Sequence, residues 1–470
     1  MSVLHQLGRA AGILLHPTSL PSAQIDQDAY RWIDLLAAAD VKVWQMLPLG
    51  VPLVGLSPYQ CASAFAINPA LFPVSVSTGH DNVETQRFAQ WYSQQQHWVD
   101  DYALFMVIKQ QVNAQEWAQW PTELRQRDPQ ALEQIRIQYA DQLSNIIEQQ
   151  YHFHQQWQAL REYARQREVF LFGDMPIFVA YDSADVWAHP QRFLLDEQGI
   201  PTLVTGVPPD YFSATGQRWG NPHYHWDYMR EEHFLWWKQR LAYHFEFFDL
   251  VRIDHFRGLA ASWMIPAEHE TAMDGYWQAV PGDEMLASIQ QTMGELPLVA
   301  EDLGSITPDV IALRDKYDLP GMSVLQFGFD HFDDNPHKPQ NVRENTVYYT
   351  GTHDNDTLLG WFTSLDEGMR AHVMHVLEID NPAQITTAML DTVLGSRALL
   401  AVIPLQDLLG LGTEARMNIP GLANGNWTWR FDWAQISDTM ASELHHRLQE
   451  HQRNEREFAT TTTRDSSRSV

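Results

Sequence analysis

The stretch DLVRIDHF, residues 249–256, is a short apolar run that turns polar at its carboxyl end. Side chains alternate along an extended chain, so Arg252 and Asp254 share one face, while Val251 and Ile253 share the other. Length, β-branching and the polar exit predict a buried strand. Working outward, seven runs of the same kind appear: AGILLHP at 11–17, VKVWQMLPL at 41–49, VFLFGDMPIF at 169–178, LPLVAEDL at 296–303, MSVLQFG at 322–328, TVYYTGTHD at 346–354 and LLAVIPLQD at 399–407. Amphipathic segments such as Ile25–Ala38 and Glu284–Met293 separate several of them. Strands alternating with helices indicate parallel βαβ units, and eight such strands predict an α/β fold, a (β/α)₈ TIM barrel. Polar residues end nearly every run: His16, Asp174, Asp254, Glu301, Asp330, His353 with Asp354, and Gln406 with Asp407. In such a barrel the carboxyl ends of the strands form the mouth that carries the active site.

The rest of the chain is consistent with that plan. A 470-residue chain with 44% hydrophobic residues can bury a large core. We read residues 1–450 as one catalytic barrel with no separate carboxyl-terminal β-domain, and 451–470 as a polar, mobile tail. Insertions interrupt the barrel at about 50–168, largely helical, and at 179–235, loop-rich and placed over the mouth. Within the first, Leu132–Tyr163 has apolar residues at near-helical spacing, with its glutamines read as a solvated face. The net charge of −28 disfavours nucleic acid and anionic membrane as partners. No stretch reaches the ~18 apolar residues of a membrane span. Cys61 is the only cysteine, which fits a reducing cytosol, and the expected location is cytoplasmic. Most of the 18 tryptophans should be core, with a minority free to serve as flat platforms for sugar rings.

Carboxylates on adjacent strand ends suit glycoside chemistry, which needs one at the anomeric carbon and one at the leaving oxygen, ~5–5.5 Å apart in retaining enzymes. The Arg252 guanidinium favours an ionised Asp254, as a nucleophile requires. Glu301, in apolar surroundings and near that charge, is the candidate general acid/base. Asp302 faces the other way and pairs locally. His353 and Asp354 are placed to bond sugar hydroxyls. A His/Asp cluster also suits metal, but no zinc-type spacing accompanies it.

Together these motifs resemble glycoside hydrolase family 77, the amylomaltases and disproportionating enzymes. The resemblance runs through GILLHPTSLP (12–21), SPYQ (57–60), GDMPIFV (173–179), GVPPDYFSATGQRWGNP (206–222), VRIDHFRG (251–258), VAEDLG (299–304), GTHDNDT (351–357) and EARMNIPG (414–421). It implies a 4-α-glucanotransferase acting on maltodextrin or another α-1,4-glucan without metal or organic cofactor. It also implies Asp254 as nucleophile, Glu301 as acid/base and Asp354 as the third carboxylate, holding the distorted sugar. Tyr59, Asp174, Arg252, His255 and His353 are then the remaining lining of the cleavage subsite. Tyr211, Phe212, Gln217 and Trp219 fall in the family's mobile loop over the acceptor side. Oligomeric state is left open.

Two segments depart from the family pattern. SAQIDQDAY (22–30) and VPLVGL (51–56) stand where relatives carry glycine-rich turns, which bears on outer subsites rather than on the cleavage centre. Two alternatives stay open: a retaining α-glucan hydrolase that passes the same intermediate to water, and an inactive glucan-binding paralogue. The three carboxylates argue against the second, and the covering loop, by excluding water, argues against the first.

Overall fold

The computed structural model describes residues 3–53, 55–73, 82–113, 115–209, 213–422 and 424–453. Eight parallel strands form its centre: β1 (Ala10–Leu14), β2 (Val43–Gln45), β3 (Phe170–Met175), β4 (Leu250–Ile253), β5 (Leu298–Ala300), β6 (Gly321–Val324), β7 (Thr346–Tyr349) and β8 (Leu400–Pro404). Each lies within or one residue outside the run that predicts it. Most are shorter than the runs, whose polar ends mostly lie beyond the ladder; Asp174 stays within it, paired with Arg252. The hydrogen-bonded order is β6-β7-β8-β1-β2-β3-β4-β5. Between β5 and β6 the ring is closed by Ala300 N donating to Pro320 O at 2.8 Å. Asp302 supports the same junction: its carboxylate accepts from Met322 N at 2.7 Å and pairs with Arg314, the local partner expected of it.

Both faces of every barrel strand are covered, which explains the nearly continuous apolar runs. Inward-facing residues, among them Leu14, Val43, Phe172, Leu250, Val299, Val324, Val347 and Val402, pack as one cluster that fills the barrel. Outward-facing Ile13, Trp44, Leu171, Val251 and Ile253 belong to a larger cluster shared with the helices, including Gln27–Ala38 and Gly282–Met293. Leu250 and Phe172 face inward. Arg252 and Asp174, two residues further along each strand, therefore stand on the same inner column nearer the mouth.

Two expectations are corrected and a third is extended. The loop-rich residues 179–235 also contribute two strands not read from the sequence: Leu203–Val207 and Gln217–Pro222 pair with Ala261–Pro266 and Tyr276–Ala279 in a four-stranded antiparallel sheet. Its strands come from two separate excursions, so no local pattern announces the pairing. The stretch Leu132–Tyr163 is divided between two helices, Pro129–Gln138 and Ala140–Gln166, which break at Tyr139 (φ −119°, ψ 28°). Its glutamines are not all solvated. Gln150 is buried and clamps one backbone residue, accepting from Ile67 N and donating to Ile67 O, each at 2.9 Å. Finally, Arg453 does not belong to a loose tail. It is fully buried and donates to the carbonyls of Ala10, Val393, Leu394, Ser396, Ala398 and Leu399, which gathers the start of β1 and the approach to β8. Residues 454–470 lie outside the described residues.

Candidate active site

The inner column at the ends of β3 and β4 forms a charged chain. Arg252 Nη1 donates to both oxygens of Asp174 at 2.9 and 2.7 Å, and Nη2 donates to Asp254 Oδ1 at 2.9 Å. The Asp174 side chain has no exposed surface, Arg252 only 6%, whereas Asp254 is 30% exposed. Asp254 is thus the member of the chain that faces the open mouth. Burial opposes the charge on Arg252, but the carboxylates of Asp174 and Asp254 outweigh it and hold the guanidinium protonated.

Tyr59 caps this chain from a hairpin-like segment in which Pro52 bridges Cys61. Its hydroxyl, pushed up by burial and then by Asp174, keeps its proton and donates it to Asp174 Oδ2 at 2.7 Å. The contact at 2.9 Å with His353 Nε2 is therefore one in which the imidazole N–H donates and Tyr59 accepts. The two rings stack with centroids 5.2 Å apart. His353 Nε2 also lies 3.4 Å from Asp354 Oδ1.

Glu301, just past β5, sits in a different environment. It accepts from His255 N at 2.7 Å through Oε2 and from Leu303 N at 3.0 Å through Oε1. Burial, opposed by Arg252 and reinforced by Asp254, raises its carboxyl from 4.5 to about 7. The ladder pairs Ile253 with Ala300, so Asp254 and Glu301 leave neighbouring strands at the same level.

Asp354 stands on the loop after β7 and is 48% exposed. Two residues without an assigned role anchor it. Asn418 Nδ2 donates to Asp354 Oδ1 at 2.6 Å, and Arg416 donates to the Asp354 carbonyl and the Asn418 carbonyl, each at 2.7 Å. Both lie in EARMNIPG, a motif visible in the sequence but lacking the strand pattern that located the other groups. Asp407, raised by burial to about 6, ties the ends of the same loop by accepting from Thr350 Oγ1 and Leu358 N, each at 2.6 Å. It thereby fastens the loop that carries His353 and Asp354. His16, which burial lowers to about 3, lines a cavity with His353, Asp356, Gln406 and Asp407. Asp330 joins none of these contacts and lies 3.8 Å from Lys338.

On the other side of the mouth, His255 adopts a left-handed conformation (φ 52°) that aims its backbone N–H at Glu301. Its ring is buried and lowered to about 4 by that burial, and Nε2 has no partner among the described residues. Trp219 meets it edge-on at 4.8 Å, and Trp219 Nε1 donates to Gln217 Oε1 at 3.2 Å. Gln217 and Trp219 therefore sit on a paired strand rather than a free loop. Tyr211 and Phe212 lie outside the described residues. Among the described residues, no group of three or more His, Cys, Asp or Glu side chains is arranged to hold a metal ion.

A family model described as 4-alpha-glucanotransferase matches residues 15–84 and 75–436. The chain is 42% identical over 494 residues to a 4-alpha-glucanotransferase of Synechocystis, covering 93% of this chain and 96% of that one. It is equally similar, 42% over 489 residues, to a 4-alpha-glucanotransferase of Thermus thermophilus, covering 93% and 98%. Among solved structures, the amylomaltase of Streptococcus agalactiae, in complex with acarbose, superposes with a TM-score of 0.90 at 33% identity, covering 95% of this chain and all of that one.

Proposed function

This chain belongs to glycoside hydrolase family 77, the 4-alpha-glucanotransferases, and we propose that Asp254, Glu301 and Asp354 carry its reaction. That reaction moves an α-1,4-glucan segment from a donor maltodextrin to the 4-hydroxyl of an acceptor glucose or glucan. The observation that supports these roles is a pair of carboxylates at one level on neighbouring strands, in different surroundings. Asp254 is bonded to Arg252 and faces the mouth, while desolvation raises Glu301 to about 7. Neighbouring strands lie ~4.8 Å apart, close to the ~5–5.5 Å of a retaining pair.

In the first step Glu301 gives its proton to the glycosidic oxygen as the bond from that oxygen to the anomeric carbon breaks. Asp254 bonds to that carbon from the opposite face, forming a glycosyl ester with inverted configuration. In the second step Glu301, now a carboxylate, takes the proton of the acceptor 4-hydroxyl. The acceptor oxygen displaces Asp254, and the second inversion restores the α-linkage. Asp354, held by Asn418, bonds the hydroxyls of the distorted sugar, with Tyr59, Asp174, Arg252 and His353 as the floor beneath it. His255 and Trp219, with Gln217, form the acceptor-side wall, which favours a sugar acceptor over water.

No described helix is long and apolar enough to cross a membrane. We place the enzyme in the cytoplasm on the strength of its single cysteine, Cys61, and take its partner to be the glucan substrate. Incubation with maltotriose tests the activity: transfer yields glucose with a ladder of longer maltodextrins, whereas glucose and maltose without the ladder would identify a hydrolase.

A further inference from the structure

One tryptophan touches the cleavage subsite but has no part in the two steps. Trp427 lies in NGNWTWR, 424–430, beyond the stretch that holds Arg416 and Asn418. Its ring centroid is 5.9 Å from that of His353 and 6.1 Å from that of Tyr59, while the Tyr59 and His353 centroids are 5.2 Å apart. The three rings stand at the corners of a triangle, with Trp427 tilted by 39° against His353 and by 50° against Tyr59. It does not extend their stack; it closes on both. The same half-buried side chain packs against the apolar cluster that fills the barrel, as Leu303 and Phe327 do.

The backbone adds a second observation. Trp427 is held at φ 65°, in the left-handed region, where a bulky side chain is an outlier. Such a conformation persists only where the surroundings over-determine it, and it gathers at working sites. Asn426, just before it, is buried; it accepts from Ile419 N at 3.0 Å and donates to Leu422 O at 2.8 Å and Ile419 O at 3.3 Å. Trp427 N donates to Met417 O at 2.8 Å. Met417 stands between Arg416 and Asn418, the two residues that anchor Asp354. One loop therefore grips Asp354 with one part and sets a ring against His353, the residue before it, with another.

We propose that Trp427 is a positioning residue for the reaction. It holds the His353 ring against Tyr59, so that Nε2–H keeps its place between the Tyr59 hydroxyl at 2.9 Å and Asp354 Oδ1 at 3.4 Å. The inference rests on the transferase reading. An imidazole turns readily about χ2, whose wells are broad. Without the third ring, His353 can rotate and carry its N–H away from both oxygens. Tyr59 then loses a donor, Asp354 loses a neighbour that limits its swing, and the floor beneath the distorted sugar loosens. The left-handed backbone at Trp427 is what brings the indole to this place.

The test measures kcat and KM on maltotriose for Trp427→Leu and Trp427→Phe, each alone and combined with His353→Ala. Trp427→Leu should lower kcat about tenfold with KM changed much less, since aim matters most at the transition state. Trp427→Phe, which keeps a ring against both neighbours, should retain most of the rate. The cycle decides the route: once His353 is gone, Trp427→Leu should cost less than about twofold more. If the leucine variant does not fold, Trp427→Met, whose flexible chain fills irregular gaps, takes its place in the cycle. An unchanged kcat, a phenylalanine variant as slow as the leucine one, or a full tenfold loss in the His353→Ala background overturns the positioning role. So does a raised KM with kcat unchanged, the sign of a binding contact. Wild-type protein that forms no ladder from maltotriose overturns the transferase reading itself.

Discussion

The backbone N–H of His255 donates to Oε2 of Glu301 at 2.7 Å, so the strand that presents Asp254 also orients the second carboxylate. The left-handed turn at His255 (φ 52°) makes this contact possible. A non-glycine residue holding that conformation at a reaction centre is strain kept for geometry. A proton can then rest on Glu301 near neutrality without the carboxyl losing its aim.

A pH dependence follows directly. Glu301 is raised from 4.5 to about 7, and donor cleavage needs its protonated form, so the rate on maltotriose should fall as pH rises past about 7. The stability effect has the same sign. The folded state binds this proton more tightly than the unfolded chain does, so its stabilising contribution is present at acid pH and is lost between 4.5 and about 7. Glu301→Gln should accordingly lack the alkaline limb and melt at a higher temperature than wild type at pH 8. A wild-type rate that is flat from pH 6 to 9, with cleavage limiting, would contradict the acid role.

Asp254→Asn should abolish transfer while leaving the melting temperature nearly unchanged, because the amide fits the same space but is a poor nucleophile. Glu301→Gln should lose ~10²–10⁴-fold on maltotriose. It should recover much of that loss on α-glucosyl fluoride, whose leaving group needs no proton. NMR of the initial product should show the α-anomer. A β-product would remove Asp254 from the nucleophile role, and wild-type rates in both variants would remove the pair.

Asn418→Ala removes the donor that fixes Asp354 Oδ1 at 2.6 Å. Asp354 would remain half exposed but no longer aimed. The expected result is a kcat about tenfold lower with KM changed much less, since positioning matters most for the distorted sugar of the transition state. A raised KM with kcat unchanged would indicate a binding contact alone.

The segment 51–56 should limit long substrates. Its backbone is pinned to its neighbour, Leu53 N donating to Gln60 O and Ala62 N to Val51 O, each at 2.9 Å. Leu56 projects, 55% exposed, from a left-handed conformation (φ 62°). Leu56→Gly should relieve that strain, with a gain of up to ~1 kcal/mol. It should also raise efficiency on amylose relative to maltotriose, which comparative kinetics on the two substrates would show. If the unmodified enzyme already prefers amylose, the segment does not act as a barrier.

The eight barrel strands were legible in the sequence because strands buried on both faces write themselves as apolar runs. The site was legible where it sits on those strands: Arg252 and Asp254 are bonded as alternation requires, and Asp302 turned outward to Arg314. Legibility failed where a structure depends on distant partners. The mouth sheet joins short segments from separate excursions, Gln150 is polar yet buried because one backbone residue far along the chain needs both its atoms, and Asn418 acts from a loop with no period. The anchor at Arg453 was hidden for a related reason, since a single arginine in a polar stretch looks like any other.

Arg453 also sets the order in which the molecule can be completed during synthesis. The carbonyls it collects come from Ala10 and from 393–399, so the seam where β1 meets β8 is fastened by a residue made after every strand of the ring. Until it emerges, the buried carbonyls at the start of β1 and the approach to β8 lack the donor that gathers them, which leaves the seam less firmly held and the domain more open to aggregation. A nascent chain halted before residue 453 should therefore require shielding by a chaperone, however complete its catalytic residues.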